Sequence, residues 1–162
     1  MGKKLPRESV DKNETVCLFC RIVSRELDAQ IIFEDAISIA FLDIRPLFHG
    51  HCLLITKAHY ETITDLPRDL IGPFFINVQL LARSVQDAMQ AEGAFIAINN
   101  KVSQSVPHFH VHIVPRRKGD GLRGFFWPRL KYAEPEILAV HQALSEQVKE
   151  QSKEPVKEQL KK

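Results

Sequence analysis

Residues 108–114 read His-Phe-His-Val-His-Ile-Val, and so strict a period of two suits an extended strand and no helix. Successive side chains of a strand point to opposite faces. His108, His110 and His112 therefore share one face, while Phe109, Val111 and Ile113 turn toward a core on the other. Neighbouring rings on that face stand about 7 Å apart, within reach of hydrogen-bonded relays or of one shared phosphate. Three of the chain's seven histidines fall in this run, which weighs against chance packing of a half-buried strand. A purely metal-binding strand is the better rival, because imidazole is a common ligand.

The flanking pattern supplies the partners such a strand needs. Gln30–Glu34 and Ser38–Leu42 are β-branched and aromatic runs around the acidic turn Glu34-Asp35, which predicts a hairpin. Gly50–Thr56 follows as a third strand, Ala94–Ile98 as a fourth and His108–Val114 as a fifth. Cys17–Arg25 reads as a short helix. Pro67–Glu92 carries Leu70, Phe74, Val78, Leu81, Val85 and Met89 at helical spacing, with Gly93 as its stop and Gly72-Pro73 as a delay or kink near its start. Residues 115–130 read as an ordered loop, and Pro135–Gln147 as a C-terminal amphipathic helix. Most links between strands are too short for a parallel crossover. The expected fold is α+β, an antiparallel five-stranded sheet with one long and one C-terminal helix. The expected organisation is a polar lead at 1–14, a domain at 15–148 and a charged, disordered tail at 149–162.

Charge narrows the function classes. A net charge of +2, spread without a basic stripe, argues against a nucleic-acid binder. No apolar run is long enough for a membrane span, and no apolar stretch follows the N-terminal lysines as a signal peptide requires. An odd set of cysteines, Cys17, Cys20 and Cys52, does not suit a secreted disulfide framework. A soluble cytoplasmic protein is the expectation.

Histidines on one strand face suit attack on phosphorus: neutral imidazole is the nucleophile, and a bond to its second nitrogen fixes the tautomer. Charge developing on phosphoryl oxygens needs placed donors. Asn99, Gln104 and Ser105, in the turn entering the strand, are candidates, although turn chemistry alone also accounts for such residues. Cys17-Leu18-Phe19-Cys20 is a second cue: two thiolates at this spacing can clamp a tetrahedral ion, but a lone pair needs two more ligands.

The run from Gln104 to Arg116 resembles the signature of the histidine triad (HIT) family, His-x-His-x-His followed by apolar residues. The likeness extends over roughly residues 17 to 130, through Ala40-Phe41-Leu42-Asp43-Ile44, Gly50-His51-Cys52-Leu53-Leu54-Ile55, Lys57-Ala58-His59, Asn99-Asn100 and Pro115-Arg116-Arg117-Lys118-Gly119-Asp120-Gly121. It implies a HIT-like fold and a homodimer whose sheets join. It also implies that His110 attacks the α-phosphorus to form a nucleotidyl-histidine, while His112 binds phosphate oxygens and helps the leaving group. By the same resemblance His51 and His108 line the catalytic site. Asp43 holds the ribose, Ile44, Phe41, Phe19 and Ile22 form the base pocket, and Asn99 and Ser105 serve the phosphate and leaving group. In similar bacterial proteins with the cysteine pair, a structural zinc is completed by the residues matching His59 and His108, giving Cys17, Cys20, His59 and His108 here. The loop Asn100-Lys101-Val102-Ser103 is shorter than the usual Gly-rich version, which puts the leaving-group donors in question.

The expected function is therefore a nucleotide phosphohydrolase or nucleotidyl transferase acting on a dinucleoside polyphosphate or nucleoside phosphoramidate, with adenylyl-sulfate compounds also within the family's range. It needs no organic cofactor, and neither a membrane nor a nucleic acid as partner. The alternatives are a purine nucleotide-binding regulatory module with little turnover, and a hydrolase using the histidines as catalytic zinc ligands. Cys52 reads as a small buried hydrophobe, His49 and His141 as surface residues. Gly124–Arg129, with three aromatics beside arginine, reads equally as packing or as a cover for a nucleotide or partner.

Overall fold

The structure, a computed structural model, describes residues 17–122 and 131–153. The chain forms two compact units, Met1–Lys118 and Gly119–Lys162. In the first, helix α1 (Leu18–Val23) precedes strands β1 (Ile31–Glu34), β2 (Ser38–Leu42) and β3 (Cys52–Thr56). A 3-10 turn at Ile63–Asp65 leads into helix α2 (Arg68–Met89), then β4 (Gly93–Ala97) and β5 (His110–Arg116). The strands form one five-stranded sheet in the order β1-β2-β3-β5-β4, and every neighbouring pair is antiparallel. The long β3–β4 link carries α2 and sets β4 at the edge, so that β5 returns between β3 and β4. The α+β expectation holds.

The pleat divides the residues into two cores. On one face Ala40, Cys52, Leu54, Val111 and Ile113 meet Phe74, Val78, Leu81 and Val85 of α2. Those four helix residues recur at spacings of four and three, the stripe that turns one helix face to a sheet. On the other face Ile39, Phe41, Leu53 and Ile55 pack against Phe19 and Ile22 of α1. A six-residue helix is too short to persist unaided, so α1 depends on what it docks against.

Several boundaries differ from the sequence reading, each for a local reason. Strand β5 begins at His110 and not at His108, because the His108 amide turns back to the Val106 carbonyl (2.8 Å) and the Phe109 amide reaches Tyr60 (2.6 Å). It runs on through Pro115 and Arg116, which pair with Ala94 and Gly93 of β4. Pairing with β3 stops at Ile113, so the missing amide of Pro115 faces no ladder there. Helix α2 ends at Met89, capped by Gln90 in the left-handed region (φ 51°); Gly93 is already the first residue of β4. Strand β3 starts at Cys52, after Gly50 turns with φ +92°. A side chain at Gly50 would also meet Met89, whose Cγ lies 2.6 Å from an ideal Cβ. In the second unit α3 (Glu134–Lys153) extends beyond Gln147, since its Glu, Gln and Lys residues are good helix formers. Among the described residues no helix is long and apolar enough to cross a membrane. The polar lead, most of the tail and the Gly124–Arg129 segment lie outside the described residues.

The β1–β2 turn is tied to α2 through Asp35. Its Oδ1 accepts the Ile37 and Ser38 amides (3.0 and 2.7 Å) and the Ser38 hydroxyl (2.9 Å), while Oδ2 accepts Asn77 Nδ2 (2.6 Å). Burial pushes this carboxyl upward, but Asn77 and the two amides outweigh it and hold the group below the usual carboxylate range. Asn77→Ala is expected to cost about 1–3 kcal/mol, by leaving a hydrogen-bonded carboxylate short of a partner. Because the folded-state value is depressed, Asp35 contributes stability above the unfolded value of ~3.9, and the contribution fades as pH falls through the lower folded value. Thermal melts from neutral to acid pH are expected to show a flatter acid limb for Asp35→Asn than for wild type.

Candidate active site and metal-ligand cluster

Strand β5 presents His110 opposite Ile55 and His112 opposite Leu53 of β3, on the face that α1 covers. Val111 and Ile113 point to the α2 side. The His110 and His112 rings lie 5.0 Å apart. His110 is only 2% exposed, with the Phe19 ring edge-on at 5.3 Å, whereas His112 is half-buried. The sequence therefore folds locally as its alternation requires: two imidazoles in line on one side, and aliphatic packing behind them.

A main-chain carbonyl fixes the protons of His110. Its Nδ1 lies 2.7 Å from the His108 carbonyl, which can only accept, so Nδ1 carries the hydrogen and Nε2 keeps its lone pair. Burial lowers the pKa of His110, against the upward pull of that bond and of Asp43. Burial, reinforced by His110 and His51, pushes His112 down to about 4, with Asp43 opposing. Both rings are thus neutral near pH 7, the form in which imidazole is a nucleophile or a neutral donor.

His51 stands at the end of the loop between β2 and β3. Its Nε2 lies 3.0 Å from His112 Nδ1, its Nδ1 accepts the Leu47 amide at 3.2 Å, and Asp43 Oδ2 lies 3.7 Å from the same Nδ1. The loop is closed by the Asp43 amide on the His51 carbonyl (3.0 Å) and the His51 amide on the Phe48 carbonyl (2.9 Å). Burial lowers the pKa of His51, while Asp43 draws it upward.

Beside this pair, Cys17, Cys20, His59 and His108 bring four ligand atoms within 4.8 Å of one another. Cys17 Sγ lies 3.3 Å from His108 Nδ1, and Cys20 Sγ lies 3.3 Å from His59 Nδ1 and 3.6 Å from His108 Nδ1. Ligands of a tetrahedral zinc-sized ion stand ~3.6 Å apart for a sulfur–nitrogen pair, so the donor set fits one. His108 Nε2 donates to the Thr56 carbonyl (2.8 Å), which leaves the Nδ1 lone pair toward the sulfurs. Without a cation, burial and then the adjacent Cys17 push the Cys20 thiol up to about 11. A divalent ion reverses that balance by displacing the thiol protons.

The other expected site residues divide clearly. Phe19, Ile22 and Phe41, expected to line a base pocket, are core residues, the first two at 5% exposed and Phe41 at 4%, whereas Ile44 is 91% exposed, so burial does not bring these four together as one open pocket. Asp43 is beside His51. Asn99 is half-buried just after β4, and Ser105 is exposed in the link to β5. Gln104 is committed to the backbone: its Oε1 accepts the Lys101 amide (2.7 Å), and its Nε2 donates to the carbonyls of Glu61 (2.7 Å) and, more distantly, His108 (3.4 Å). His108, expected in both roles, has its two ring nitrogens directed at the sulfurs and at Thr56. Residues missed by the sequence reading are those that act through the main chain, the Thr56 carbonyl and the Leu47 amide, for which side-chain identity carries no signal. In the Asn100–Ser103 loop, Lys101 and Ser103 both take left-handed backbones (φ 63° and 60°); Gln104 Oε1 ties down the Lys101 amide, and Asn100 Oδ1 accepts the Ile63 amide (3.1 Å).

Comparison with known proteins agrees with this geometry. A family model described as the HIT domain matches residues 24–119. "Protein hit" of Bacillus subtilis (strain 168) is 38% identical over 114 residues, covering 68% of this chain and 78% of that protein. The adenosine 5'-monophosphoramidase hnt1 of Schizosaccharomyces pombe is 31% identical over 135 residues, covering 82% and 98%. Among solved structures, a zinc-bound histidine triad family protein from Mycobacterium smegmatis superposes with a TM-score of 0.63 at 36% identity, covering 83% of this chain and 96% of that one.

The two left-handed positions give a direct test of the loop. Ser103→Gly is expected to raise stability by about 1 kcal/mol, as measured by urea unfolding, because glycine takes that backbone without strain.

Proposed function

Because the chain belongs to the HIT domain family, we propose that it cleaves adenosine-type nucleotides at the α-phosphorus through a nucleotidyl intermediate on His110. The observation that carries this reading is the hydrogen bond from His110 Nδ1 to the His108 carbonyl, which leaves Nε2 bare for attack. A phosphoryl group reaches that nitrogen from the side of the half-buried His112. As the P–Nε2 bond forms, the P–O or P–N bond to the leaving group breaks and its electron pair goes to the leaving atom. In this reading His112 donates to the phosphoryl oxygens and to the leaving atom, with Asn99 and Ser105 as the further donors. The ring becomes cationic on attack, and its Nδ1–H remains on a carbonyl dipole that stabilises the charge. Water then cleaves the P–N bond, releasing the nucleoside monophosphate; another acceptor in its place gives transfer. In this reading Asp43 holds the ribose and Ile44 meets the base, with Phe19, Ile22 and Phe41 as the buried apolar residues of that side.

The substrate class proposed is a dinucleoside polyphosphate or a nucleoside phosphoramidate, in keeping with the monophosphoramidase among the relatives. The metal proposed for the four-ligand cluster is zinc in a structural role, since all four positions are filled by protein. Bound there, it would pin α1 to the strand of the nucleophile. Three free thiols suit a reducing, cytoplasmic setting, and the assembly proposed is a homodimer.

His110→Asn is expected to lower turnover of diadenosine polyphosphate and adenosine phosphoramidate by about 10³-fold or more. Rapid quenching of wild type with labelled substrate is expected to trap label on His110; wild-type turnover by the variant would remove His110 as nucleophile and leave the binding-module reading. Elemental analysis of protein never exposed to chelator is expected to find about one zinc per chain. Chelation is expected to lower the melting temperature and to expose Phe19 to solvent, as read by hydrogen exchange of α1.

A further inference from the structure

The proton positions on His51 and His112 follow from a single main-chain group. A backbone amide can only donate, so the Leu47 N–H at 3.2 Å obliges His51 Nδ1 to carry its lone pair. A neutral ring with a bare Nδ1 has its hydrogen on Nε2. That hydrogen faces His112 Nδ1 at 3.0 Å, which must then accept, and the remaining hydrogen of His112 sits on its own Nε2. We propose that the loop 43–51 is a tautomer lock: the Leu47 amide, acting through His51, makes His112 present Nε2–H as a hydrogen-bond donor to the phosphoryl group. His51 and Leu47 are thereby positioning residues. The catalytic consequence rests on the reading of His110 as nucleophile given above; the lock itself does not.

The arrangement gives two adjacent strand histidines opposite tautomers. His110 is held as Nδ1–H by the His108 carbonyl, with Nε2 bare, and His112 is held with Nδ1 bare and Nε2–H. One ring attacks phosphorus while the other donates to the oxygens around it. With the same tautomer on both, two lone pairs would confront an anionic group, an electrostatic penalty in place of stabilisation. The neutral state that the lock requires is maintained by burial of both rings.

The competing state is also built into the loop. Asp43 Oδ2 lies 3.7 Å from His51 Nδ1, too far for a hydrogen bond, and Asp43 Oδ1 is engaged by the Arg45 amide at 2.7 Å. Were Nδ1 to carry the hydrogen and turn to Asp43, the chain would invert and His112 would show a bare Nε2. Leu47 decides between the two states. The closure of the loop by Phe48, Gly50 and His51 keeps its amide in place, with Gly50 held against Met89 of α2.

The test is long-range proton–nitrogen correlation spectroscopy on the full, zinc-loaded chain labelled with nitrogen-15 at histidine. Wild type is expected to show pyridine-type Nδ1 and pyrrole-type Nε2 on both His51 and His112; a pyrrole-type Nδ1 on His112 overturns the lock outright. Leu47→Ala, which keeps the amide, is expected to retain this signature. Leu47→Pro, which removes the donor, is expected to shift both rings to the Nδ1–H form and to lower kcat about 100-fold with KM little changed. A Leu47→Pro protein that folds and keeps the wild-type ring spectrum refutes the assignment to Leu47; if that variant fails to fold, the wild-type spectrum still decides. Expected tautomers in a protein that never takes label on His110 would sink the proposed reaction and leave the lock standing.

Discussion

The carbonyl of His108 joins the two halves of this site. It accepts the Nδ1–H of His110 and so leaves the Nε2 lone pair of that ring bare, while the side chain of the same residue turns its own Nδ1 to the sulfurs of Cys17 and Cys20. Nothing of this is possible if the chain continues as a regular strand through residue 108. The turn of the His108 amide onto Val106 frees that residue from the ladder, so its ring and its carbonyl can serve different partners. A single break in strand regularity thus precedes both the tautomer of His110 and the metal-ligand cluster.

The cluster in turn accounts for α1. Six residues and two core side chains, Phe19 and Ile22, are little with which to hold a helix. The cysteines bracket its first turn, with Cys17 as the N-cap whose sulfur accepts the Cys20 amide (3.5 Å). The same turn then brings Phe19 edge-on to His110. Ligand geometry, helix capping and the packing around His110 are therefore satisfied by one short segment, which neither helix propensity nor apolar area explains alone.

Much of this was legible in the sequence because it is written in side chains. The two-residue period located the histidine face, the hairpin runs gave β2 to the residue and β1 to within one, and the spacing of Phe74, Val78, Leu81 and Val85 gave the packed stripe of α2. The cysteine pair with His59 and His108 named the ligand cluster, although only through resemblance. What was not legible is carried by the backbone. The start of β5 depends on where the amides of His108 and Phe109 go. The end of α2 depends on Gln90 adopting a conformation usually left to glycine. Gln104 has the side chain of a phosphate donor, but its amide closes a loop whose Lys101 and Ser103 are themselves in left-handed backbones. Ring protons on His51, His110 and His112 follow from an amide and a carbonyl of the main chain, which almost every residue type possesses.

The sheet also acts as a partition. Faults on the α2 side, among Phe74, Val78, Leu81, Val111 and Ile113, bear on the larger core, while the imidazoles of His110 and His112 stand on the far face. Faults on the thinner α1 side, among Phe19, Phe41, Leu53 and Ile55, disturb the floor on which those groups rest. Sequence drift can therefore adjust robustness and chemistry almost separately, one face at a time, within a single layer of strands.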